Sequence, residues 1–409
     1  MRGRPEARHR RRPRYRVNRL SRSRMRSNLN RLLPLVAVCL GLFSAGLFLE
    51  ASHAHSQQPL GPNADLRQAL TAITPASLRG DLSFLSSDAL GGRYTPSAGL
   101  DVAANFIASR FRASDLDAPV DGTYFQNADL TAYLKAKSNK HVIPTDRPVQ
   151  CKNVIGILRG SDPVLRNTYI IVSAHYDHIG TLKTASGLTS EKPTSDDDEI
   201  YNGANDDGSG TVSVVALAKA FANLRERPKR SIIFMTFCGE ELGLFGSRYY
   251  TEHPVVPLKQ TIADINLEQV GRSDGDIARG SASLTGFGFT NLGALFEHAA
   301  ASYGIRIYGD KRGDKYFPAS DNYSFAKYGV PDSTLCTAFE FPNYHGLKDE
   351  WGKIDYFQMA DLDKLTAEVI WTLANSKTAP SWNANNEKTK NFRDAAAVTY
   401  EGASIVAAR

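Results

Sequence analysis

The segment from 169 to 180, YIIVSAHYDHIG, places a histidine and an aspartate at the end of an apolar run. His175 closes the run, and Asp177 stands two residues later. A metal-binding imidazole uses one ring nitrogen, and a carboxylate commonly holds the other. A His-x-Asp sequence at a strand end also occurs in many proteins as an ordinary hydrogen-bonded pair. The pair therefore raises the hypothesis of a metal site at His175 but needs support from elsewhere in the chain.

Acidic side chains follow two further apolar runs. Cys238-Gly239-Glu240-Glu241 follows one of them, and Glu268 follows the other. In open α/β sheets, sites gather just beyond the carboxyl ends of the strands. Adjacent carboxylates repel each other unless a cation or a proton separates their roles, so Glu241 can bind a metal while Glu240 takes a proton. The alternative is a pair of solvated glutamates at a helix N-terminus, which the helix dipole favours.

A glycine-rich loop supplies another candidate. Asp206 lies in the sequence NGANDDGSG at 202–210, where glycines permit an irregular backbone and a carboxylate can bridge two cations. A turn followed by a helix cap would explain Ser209, but it would not explain two adjacent aspartates among glycines. We therefore predict that Asp206 is a bridging ligand.

A second histidine follows a later apolar run. His345 lies in FPNYHGLKD at 341–349, and Asp349 is close enough in sequence to support its outer ring nitrogen. Tyr344 can donate a hydrogen bond to a developing oxyanion. A surface Tyr-His pair in a loop is the ordinary alternative.

The elements that must position these residues alternate between strands and helices. Runs that are apolar on both faces predict parallel strands covered by helices on each side. Their order predicts a three-layer α/β/α fold with a central mixed, largely parallel sheet. The predicted strands are 153–158, 169–174, 231–237, 262–267 and 333–339, and the predicted helices are 66–87, 101–111, 209–225 (with Ser209 as N-cap) and 361–374.

The chain has 409 residues, of which 42% are hydrophobic and 22% are charged, so it has ample material for a globular core. We predict four regions along it. They are a basic arm and signal peptide at 1–54, a helical lead-in at 55–150, the catalytic core at 151–375 and a polar, loosely held tail at 376–409.

The net charge of +6 comes from the N-terminus, because residues 1–31 contain thirteen Arg and a single Glu. The rest of the chain is net acidic, which argues against a nucleic-acid partner. The arm runs into the apolar segment 32–49, an order typical of a secretory signal. We predict cleavage after Ala54, a true start possibly at Met25, and export to the periplasm or the exterior. A retained membrane anchor at 32–49 is the alternative.

Three cysteines remain after that cleavage, namely Cys151, Cys238 and Cys336, and they allow at most one disulfide in an exported protein. Their spacing is not that of a zinc ribbon. We predict that Cys238 is a small buried hydrophobic residue at a strand end.

The candidate residues also carry a family resemblance, because their order along the chain is similar to that of metallopeptidase family twenty-eight. The resemblance spans roughly 153–374, and LSFLSSDALGGR at 82–93 also looks like the helix and loop that precede the family's catalytic domain. It implies two zinc ions per chain, with Co²⁺ or Mn²⁺ as substitutes. One zinc would be held by His175, Asp206 and Glu268, and the other by Asp206, Glu241 and His345.

The resemblance also implies roles for the neighbouring residues. Glu240 matches the general base, Tyr344 an oxyanion stabiliser and Asp177 an outer support of a ligand. Asp321, in Ser320-Asp321-Asn322, falls where the family often has Ser-Asp-His, and we give it a structural role only. The family commonly has aspartate at the position of Glu268, so this chain departs from the pattern there.

The implied activity is that of a secreted zinc exopeptidase, and we expect an aminopeptidase acting on peptides with a free N-terminus. The 77 residues from Glu268 to His345 are too few for the lid domain of related deacylases. Three alternatives stay open. They are a carboxypeptidase or dipeptidase in which Arg272, Lys311, Arg312 or Lys315 binds a carboxylate, a glutaminyl cyclase with one zinc, and an inactive receptor-like binding module.

Overall fold

The computed structural model describes residues 64–136, 148–185, 187–189, 198–309 and 311–401. These residues belong to one compact unit. The predicted signal peptide and the alternative membrane anchor, both within 1–54, lie outside the described residues. Within the described ranges, no helix is long and apolar enough to cross a membrane.

An eight-stranded mixed sheet forms the centre of the fold, with the strand order β1-β2-β6-β3-β7-β10-β8-β9. The four strands β6, β3, β7 and β10 run parallel to one another, and antiparallel pairs flank them on both sides. The strands are β1 Phe125–Asp129, β2 Gln150–Leu158, β3 Tyr169–His175, β4 Gly180–Thr181, β5 Ile200–Tyr201, β6 Ser231–Phe237, β7 Thr261–Leu267, β8 Ser281–Leu284, β9 Arg306–Tyr308 and β10 Asp332–Cys336.

Helices cover both faces of this sheet. The helices are α1 Ala64–Leu70, α2 Pro75–Leu85, α3 Ala98–Ala113, α4 Thr131–Ala136, α5 Gly210–Ala222, α6 Phe245–Glu252, α7 Leu292–Ala300, α8 Lys311–Tyr316, α9 Asn322–Ala326, α10 Tyr356–Asn375 and α11 Lys390–Thr399. Helices α2, α3, α5, α7 and α10 pack into the larger core on one face, and α6 and α9 pack into a second core on the other.

The central strands are apolar on both faces because both faces are covered. In β3, Ile170 and Val172 point into the larger core, whereas Ile171 points into the second one. All seven residues of β3, β6 and β7 are buried. The predicted three-layer architecture with a largely parallel centre is therefore confirmed.

Two of the predicted regions differ from the structure. The lead-in is not only helical, because β1 pairs with β2 and extends the main sheet. The tail is not loosely held as far as residue 401, because Phe392 packs against Phe317 and Trp382. Tyr400 also donates a hydrogen bond of 2.6 Å to the carbonyl of Thr261. Aromatic residues spaced through a polar segment anchor it to the sheet.

Candidate metal centre

Three parallel neighbouring strands deliver candidate ligands to one edge of the sheet. His175 is the last residue of β3, Glu240 and Glu241 follow β6, and Glu268 follows β7. Because β3 lies between β6 and β7 and all three run parallel, their carboxyl ends meet. The topology therefore gathers side chains that are up to 93 residues apart in sequence.

The loop before α5 brings in Asp206. Residues Ala204–Ser209 form one irregular helical turn with a cis peptide between Asp206 and Asp207. The Asp207 carboxylate accepts hydrogen bonds from the backbone N–H groups of His175 at 3.2 Å, Gly210 at 3.0 Å and Gln269 at 3.1 Å. Asp207 therefore ties the end of β3, the start of α5 and the end of β7 together around Asp206.

His345 reaches the same edge from the loop after β10. Its backbone adopts a φ of 50°, and its Nδ1 lies 2.6 Å from the carbonyl oxygen of Leu188. That contact leaves Nε2 directed at the cluster. Tyr344 stacks on the imidazole with ring centroids 4.1 Å apart, which limits the rotation of His345.

The donor atoms fall into two groups that share Asp206. His175 Nε2 lies 3.4 Å from Asp206 Oδ1, and His345 Nε2 lies 3.1 Å from both Asp206 Oδ2 and Glu241 Oε2. Within each group, one donor atom per residue lies within 4.8 Å of the others. One group consists of His175, Asp206 and Glu268, and the other consists of His178, Asp206, Glu241 and His345.

These residues fit metal ions, because buried donor atoms point into the cluster without partners. His175 Nε2, Asp206 Oδ2 and Glu268 Oε2 are buried and have no hydrogen bond among the described residues. Nitrogen and carboxylate donors suit zinc, cobalt and manganese. A buried group of carboxylates also needs a compensating positive charge. A divalent cation in each group would supply that charge and satisfy the donor atoms.

The electrostatics of the cluster reflect this excess of negative charge. Burial alone would lower the pKa of His345, but the neighbouring Glu241 and Asp206 raise it to about 12. Burial would likewise raise the pKa of Glu241, yet His345 outweighs it and lowers the pKa to about 2. The pKa of Glu240 is raised well above its ordinary value, mainly by burial and also by Glu268 and Glu241.

Asp177 contacts two residues of the centre. His175 Nδ1 lies 3.2 Å from the backbone carbonyl of Asp177 and 3.6 Å from its carboxylate. The same carboxylate accepts the backbone N–H of Glu240 at 3.2 Å and the hydroxyl of Thr95 at 3.0 Å. The backbone carbonyl is thus the nearer partner of His175, and the carboxylate positions Glu240.

The prediction that Asp349 supports His345 is wrong. The Asp349 carboxylate instead accepts the backbone N–H groups of Asn205 at 2.9 Å and Asp206 at 3.0 Å, and the Leu188 carbonyl takes the outer nitrogen of His345. Sequence proximity suggested the pairing, but the loop folds Asp349 under the Asp206 turn. Asp349 therefore supports the shared ligand.

Asp321 lies buried behind the centre. Its pKa is raised to about 7, mainly by burial and partly by the charges of Asp177 and Glu268. It precedes α9 without capping that helix through its side chain. Its carboxylate belongs to neither of the two groups of donor atoms among the described residues, and its structural role stays a prediction.

Cys238 is bonded to Cys151 in a disulfide, so the prediction that it is a simple hydrophobic residue is wrong. The bond joins β2 to the segment that carries Glu240 and Glu241. Cys336 is buried. This pairing agrees with the expectation of at most one disulfide among Cys151, Cys238 and Cys336.

Sequence reasoning missed His178 and Arg93. His178 Nδ1 lies 2.8 Å from Glu241 Oε1. Arg93 is fully buried and donates to the backbone carbonyls of Tyr176 and Asn202, each at 2.7 Å. The signal for His178 was visible as a second histidine three residues after His175. The signal for Arg93 was an arginine after two glycines in a segment that already resembled the family.

A pocket with a volume of about 90 Å³ opens beside the cluster. Tyr316 and Phe339 stack in its wall with ring centroids 4.5 Å apart. Apolar and acidic side chains form most of the lining, and no Lys or Arg belongs to the lining that the described residues provide. The lining includes Glu268, Tyr316, Cys336, Phe339, Glu340 and Tyr344.

The site has two groups of nitrogen and carboxylate donors at the carboxyl edge of the sheet, and the Glu240 carboxylate lies beside them without belonging to either group. This arrangement is typical of a metal-dependent hydrolase. The sequence pattern of Peptidase family M28 matches residues 153–370, more than half of the chain. The chain therefore belongs to this metallopeptidase family, as its sequence resemblance predicted.

Curated relatives are consistent with this membership. A probable zinc metalloprotease of Pyricularia oryzae is 29% identical over 222 residues, which cover 52% of this chain and 38% of the relative. Another of Pyrenophora teres f. teres is 24% identical over 363 residues, which cover 81% of this chain and 71% of the relative. The match to the first of these spans about two fifths of that relative's length.

Solved structures share the fold. The aminopeptidase from Aneurinibacillus sp. strain AM-1 has a TM-score of 0.53 at 18% identity and covers 78% of this chain and 97% of its own. A glutaminyl cyclase from Porphyromonas gingivalis has a TM-score of 0.54 at 16% identity and covers 73% of this chain and 98% of its own. These likenesses support the architecture alone.

Proposed function

We propose that this chain is an exported aminopeptidase that uses two zinc ions to remove the N-terminal residue of peptides. The pocket beside Glu268 and Tyr344 is the observation that supports this proposal most directly. It is acidic and apolar, so it suits an apolar N-terminal side chain next to an ammonium group. A carboxypeptidase would need a cation there to receive the C-terminal carboxylate.

Two of the four basic residues considered as carboxylate receptors, Arg272 and Arg312, have other partners. Arg272 donates to the side chain of Asn343 at 3.3 Å and lies over the ring of Phe341. Arg312 pairs with Asp274 at 3.2 Å and with Asp276 at 2.5 Å. These contacts engage both guanidinium groups, which favours attack at the amino end.

The pocket also suggests a class of N-terminal residue. Its wall combines the stacked rings of Tyr316 and Phe339 with the smaller side chains of Cys336 and Ala338. Glu340 accepts a hydrogen bond from the Tyr316 hydroxyl, and this contact holds the aromatic wall. We expect leucine, methionine or phenylalanine to fit better than aspartate or glutamate, because the carboxylates of Glu268 and Glu340 in the lining would repel a further carboxylate.

The chain's own residues divide the hydrolytic work. Zinc, when bound, supplies Lewis-acid polarisation of the scissile carbonyl and makes a water molecule more acidic. The Glu240 carboxylate, 3.9 Å from His175 Nε2, takes the proton of the attacking water and returns it to the leaving amine. Asp177 fixes the Glu240 backbone, and the hydroxyl of Tyr344 donates to the developing oxyanion.

Export is supported by two independent features. The basic segment followed by the apolar segment 32–49 is typical of a secretory signal. The Cys151–Cys238 disulfide is typical of proteins that fold in an oxidising compartment. Either feature alone would be weaker.

Paired substrates test the end that is attacked. Leucine p-nitroanilide and its N-acetyl derivative differ only in the free ammonium, so an aminopeptidase should cleave the first and leave the second intact. Equal cleavage of both would contradict the proposal. An N-terminal glutaminyl peptide in the same assay tests the cyclase alternative, because cyclisation releases ammonia and leaves a pyroglutamyl peptide.

A matched pair of variants tests the general base. Glu240→Gln should lower kcat by about 10²- to 10⁴-fold, the usual contribution of a general acid or base. Its zinc content should stay unchanged because Glu240 belongs to neither donor group. Glu297→Gln, exposed on α7, is the control and should retain full activity. Full activity in Glu240→Gln would contradict the assigned role.

A further inference from the structure

We propose that His178 is a positioning residue of the metal centre, which holds Glu241 in one orientation so that this carboxylate binds metal through a single oxygen. The inference rests on the proposed two-zinc function. It concerns the metal position formed by Asp206, Glu241 and His345.

The two oxygens of Glu241 face different partners. Oε2 lies 3.1 Å from His345 Nε2, which is itself 3.1 Å from Asp206 Oδ2. These three atoms converge as ligands of one ion would. Oε1 lies 2.8 Å from His178 Nδ1, a normal hydrogen-bond distance. His178 thus contacts the oxygen that does not face the other ligands.

Donor and acceptor chemistry fixes the direction of this bond. A metal-binding carboxylate is ionised and only accepts hydrogen bonds, so the His178 Nδ1 must carry the proton. Its other nitrogen, Nε2, is buried and has no hydrogen-bond partner among the described residues. The polar contact that holds this imidazole in the structure is therefore made to Glu241.

The surroundings keep the ring in this position. A side chain at Gly203 would place a Cβ 2.4 Å from His178 Cγ, so the glycine provides the space for the imidazole. The backbone N–H of His178 donates to the carbonyl of Arg93 at 3.2 Å, and its ring meets that of His345 edge-on at 5.5 Å. His178 is held by packing and can in turn hold Glu241.

The functional consequence is an open coordination position. A carboxylate that binds through both oxygens occupies two positions of an ion, whereas one oxygen leaves room for substrate. With Oε1 hydrogen-bonded to His178, Glu241 contributes Oε2 alone. Outer partners of this kind typically contribute 10- to 100-fold to metal affinity.

Three substitutions distinguish this role from that of a direct ligand. The amide nitrogen of asparagine falls near the position of Nδ1 and can donate to Oε1, whereas that of glutamine falls near Nε2. Zn²⁺ affinity is measured for the full chain by competition with a chromophoric chelator. His178→Ala and His178→Gln should weaken one of the two sites by about 10- to 100-fold, and His178→Asn should restore it to within about threefold.

Several outcomes would overturn the inference. Unchanged zinc affinity in His178→Ala would do so, and equal losses in all three variants would point to direct ligation or to packing alone. Thermal unfolding of the metal-free proteins checks folding, and if His178→Ala does not fold, the comparison of His178→Asn with His178→Gln suffices. A wild-type chain that binds one zinc overturns this inference and the two-zinc proposal together. A wild-type chain that binds two zincs but lacks aminopeptidase activity overturns the proposed activity alone.

Discussion

Removal of the Arg93 side chain should damage both stability and metal binding, because this buried guanidinium joins three segments around the centre. It donates to the carbonyls of Leu85 at 2.8 Å, Tyr176 at 2.7 Å, Asn202 at 2.7 Å and Gly203 at 2.9 Å. Tyr176 follows the ligand His175, and the last two carbonyls open the loop of Asp206. Arg93 therefore fixes the two ligand segments relative to each other.

The magnitude follows from the carbonyls that Arg93→Ala would leave without a partner. The Gly203 carbonyl also accepts the N–H of Gly208, so it keeps one bond. The carbonyls of Leu85, Tyr176 and Asn202 depend on Arg93, and each buried unsatisfied group costs about 1–3 kcal/mol. The loss also removes positive charge beside Asp177 and Asp349. We expect the free energy of unfolding to fall by about 4 kcal/mol or more.

Arg93→Lys should recover only part of this loss. Burial lowers the pKa of Arg93 to about 10, so the guanidinium stays charged at neutral pH with Asp177 and Asp349 nearby. Lysine keeps the charge but lacks the planar fork that reaches several carbonyls together. Its effect on stability should therefore lie between those of the wild type and Arg93→Ala.

Urea unfolding of the metal-free proteins measures the stability term, and chelator competition measures zinc affinity. We expect both zinc sites of Arg93→Ala to weaken by about tenfold or more, because outer supports act on ligand geometry. Arg79→Ala, which removes an exposed arginine from α2, is the matched control. A metal-free Arg93→Ala protein within about 1 kcal/mol of the wild type, with unchanged zinc affinity, would refute the reasoning.

Two further predictions concern the stability of the fold. Burial raises the pKa of Asp363 to about 7, against 3.8 for an exposed aspartate. The contribution of Asp363 to the free energy of unfolding is therefore fully present below pH 3.8 and is lost as the pH rises through 7. Asp363→Asn should therefore stabilise the metal-free protein by about 3 kcal/mol more at pH 8 than at pH 5 in urea unfolding, and an equal effect at the two pH values would contradict the assignment. The double variant Cys151→Ala with Cys238→Ala should lose about 4.6 kcal/mol of unfolding free energy, the loop-closure value for the 87 residues that the disulfide spans, and calorimetry showing no loss would contradict that value.

The convergence of the candidate ligands was predictable because it depends on strand ends. His175, Glu241 and Glu268 each follow an apolar run, and parallel strands bring their ends to one edge of a sheet. Asp206 stood out as one of two adjacent aspartates in a glycine-rich loop and His345 as a histidine after a later apolar run, and the family resemblance added the division between two metals. The fold and the convergence of these residues could therefore be read from the sequence.

The supporting contacts could not be read in the same way, because they depend on how loops cross in three dimensions. Asp349 lies four residues from His345 and 143 residues from Asp206, yet its carboxylate accepts a hydrogen bond from Asp206. Ser209 was predicted as an N-cap, yet its hydroxyl bonds to the Asn205 carbonyl, and the Asp207 carboxylate accepts the N–H of Gly210 instead. A linear pattern gives the residue types but not the partners.

The limits of the first two helices were also only partly predictable from the sequence. The pattern from 66 to 87 predicted one helix, but the structure has two, α1 and α2. The break falls before Pro75, where Thr74 accepts the N–H of Ser77 and caps α2. Proline restricts the residue before it, so this break was readable from the sequence although the periodicity ran across it.

Zinc content per chain tests the central claim most directly. Elemental analysis of the purified, zinc-loaded protein should give two zinc ions per chain in the wild type. Asp206→Ala should lose both, because Asp206 is the carboxylate common to the two donor groups, whereas Glu268→Ala should keep one. A wild-type value of one zinc per chain or fewer, or two zincs retained by Asp206→Ala, would contradict a shared two-metal centre at this edge of the sheet.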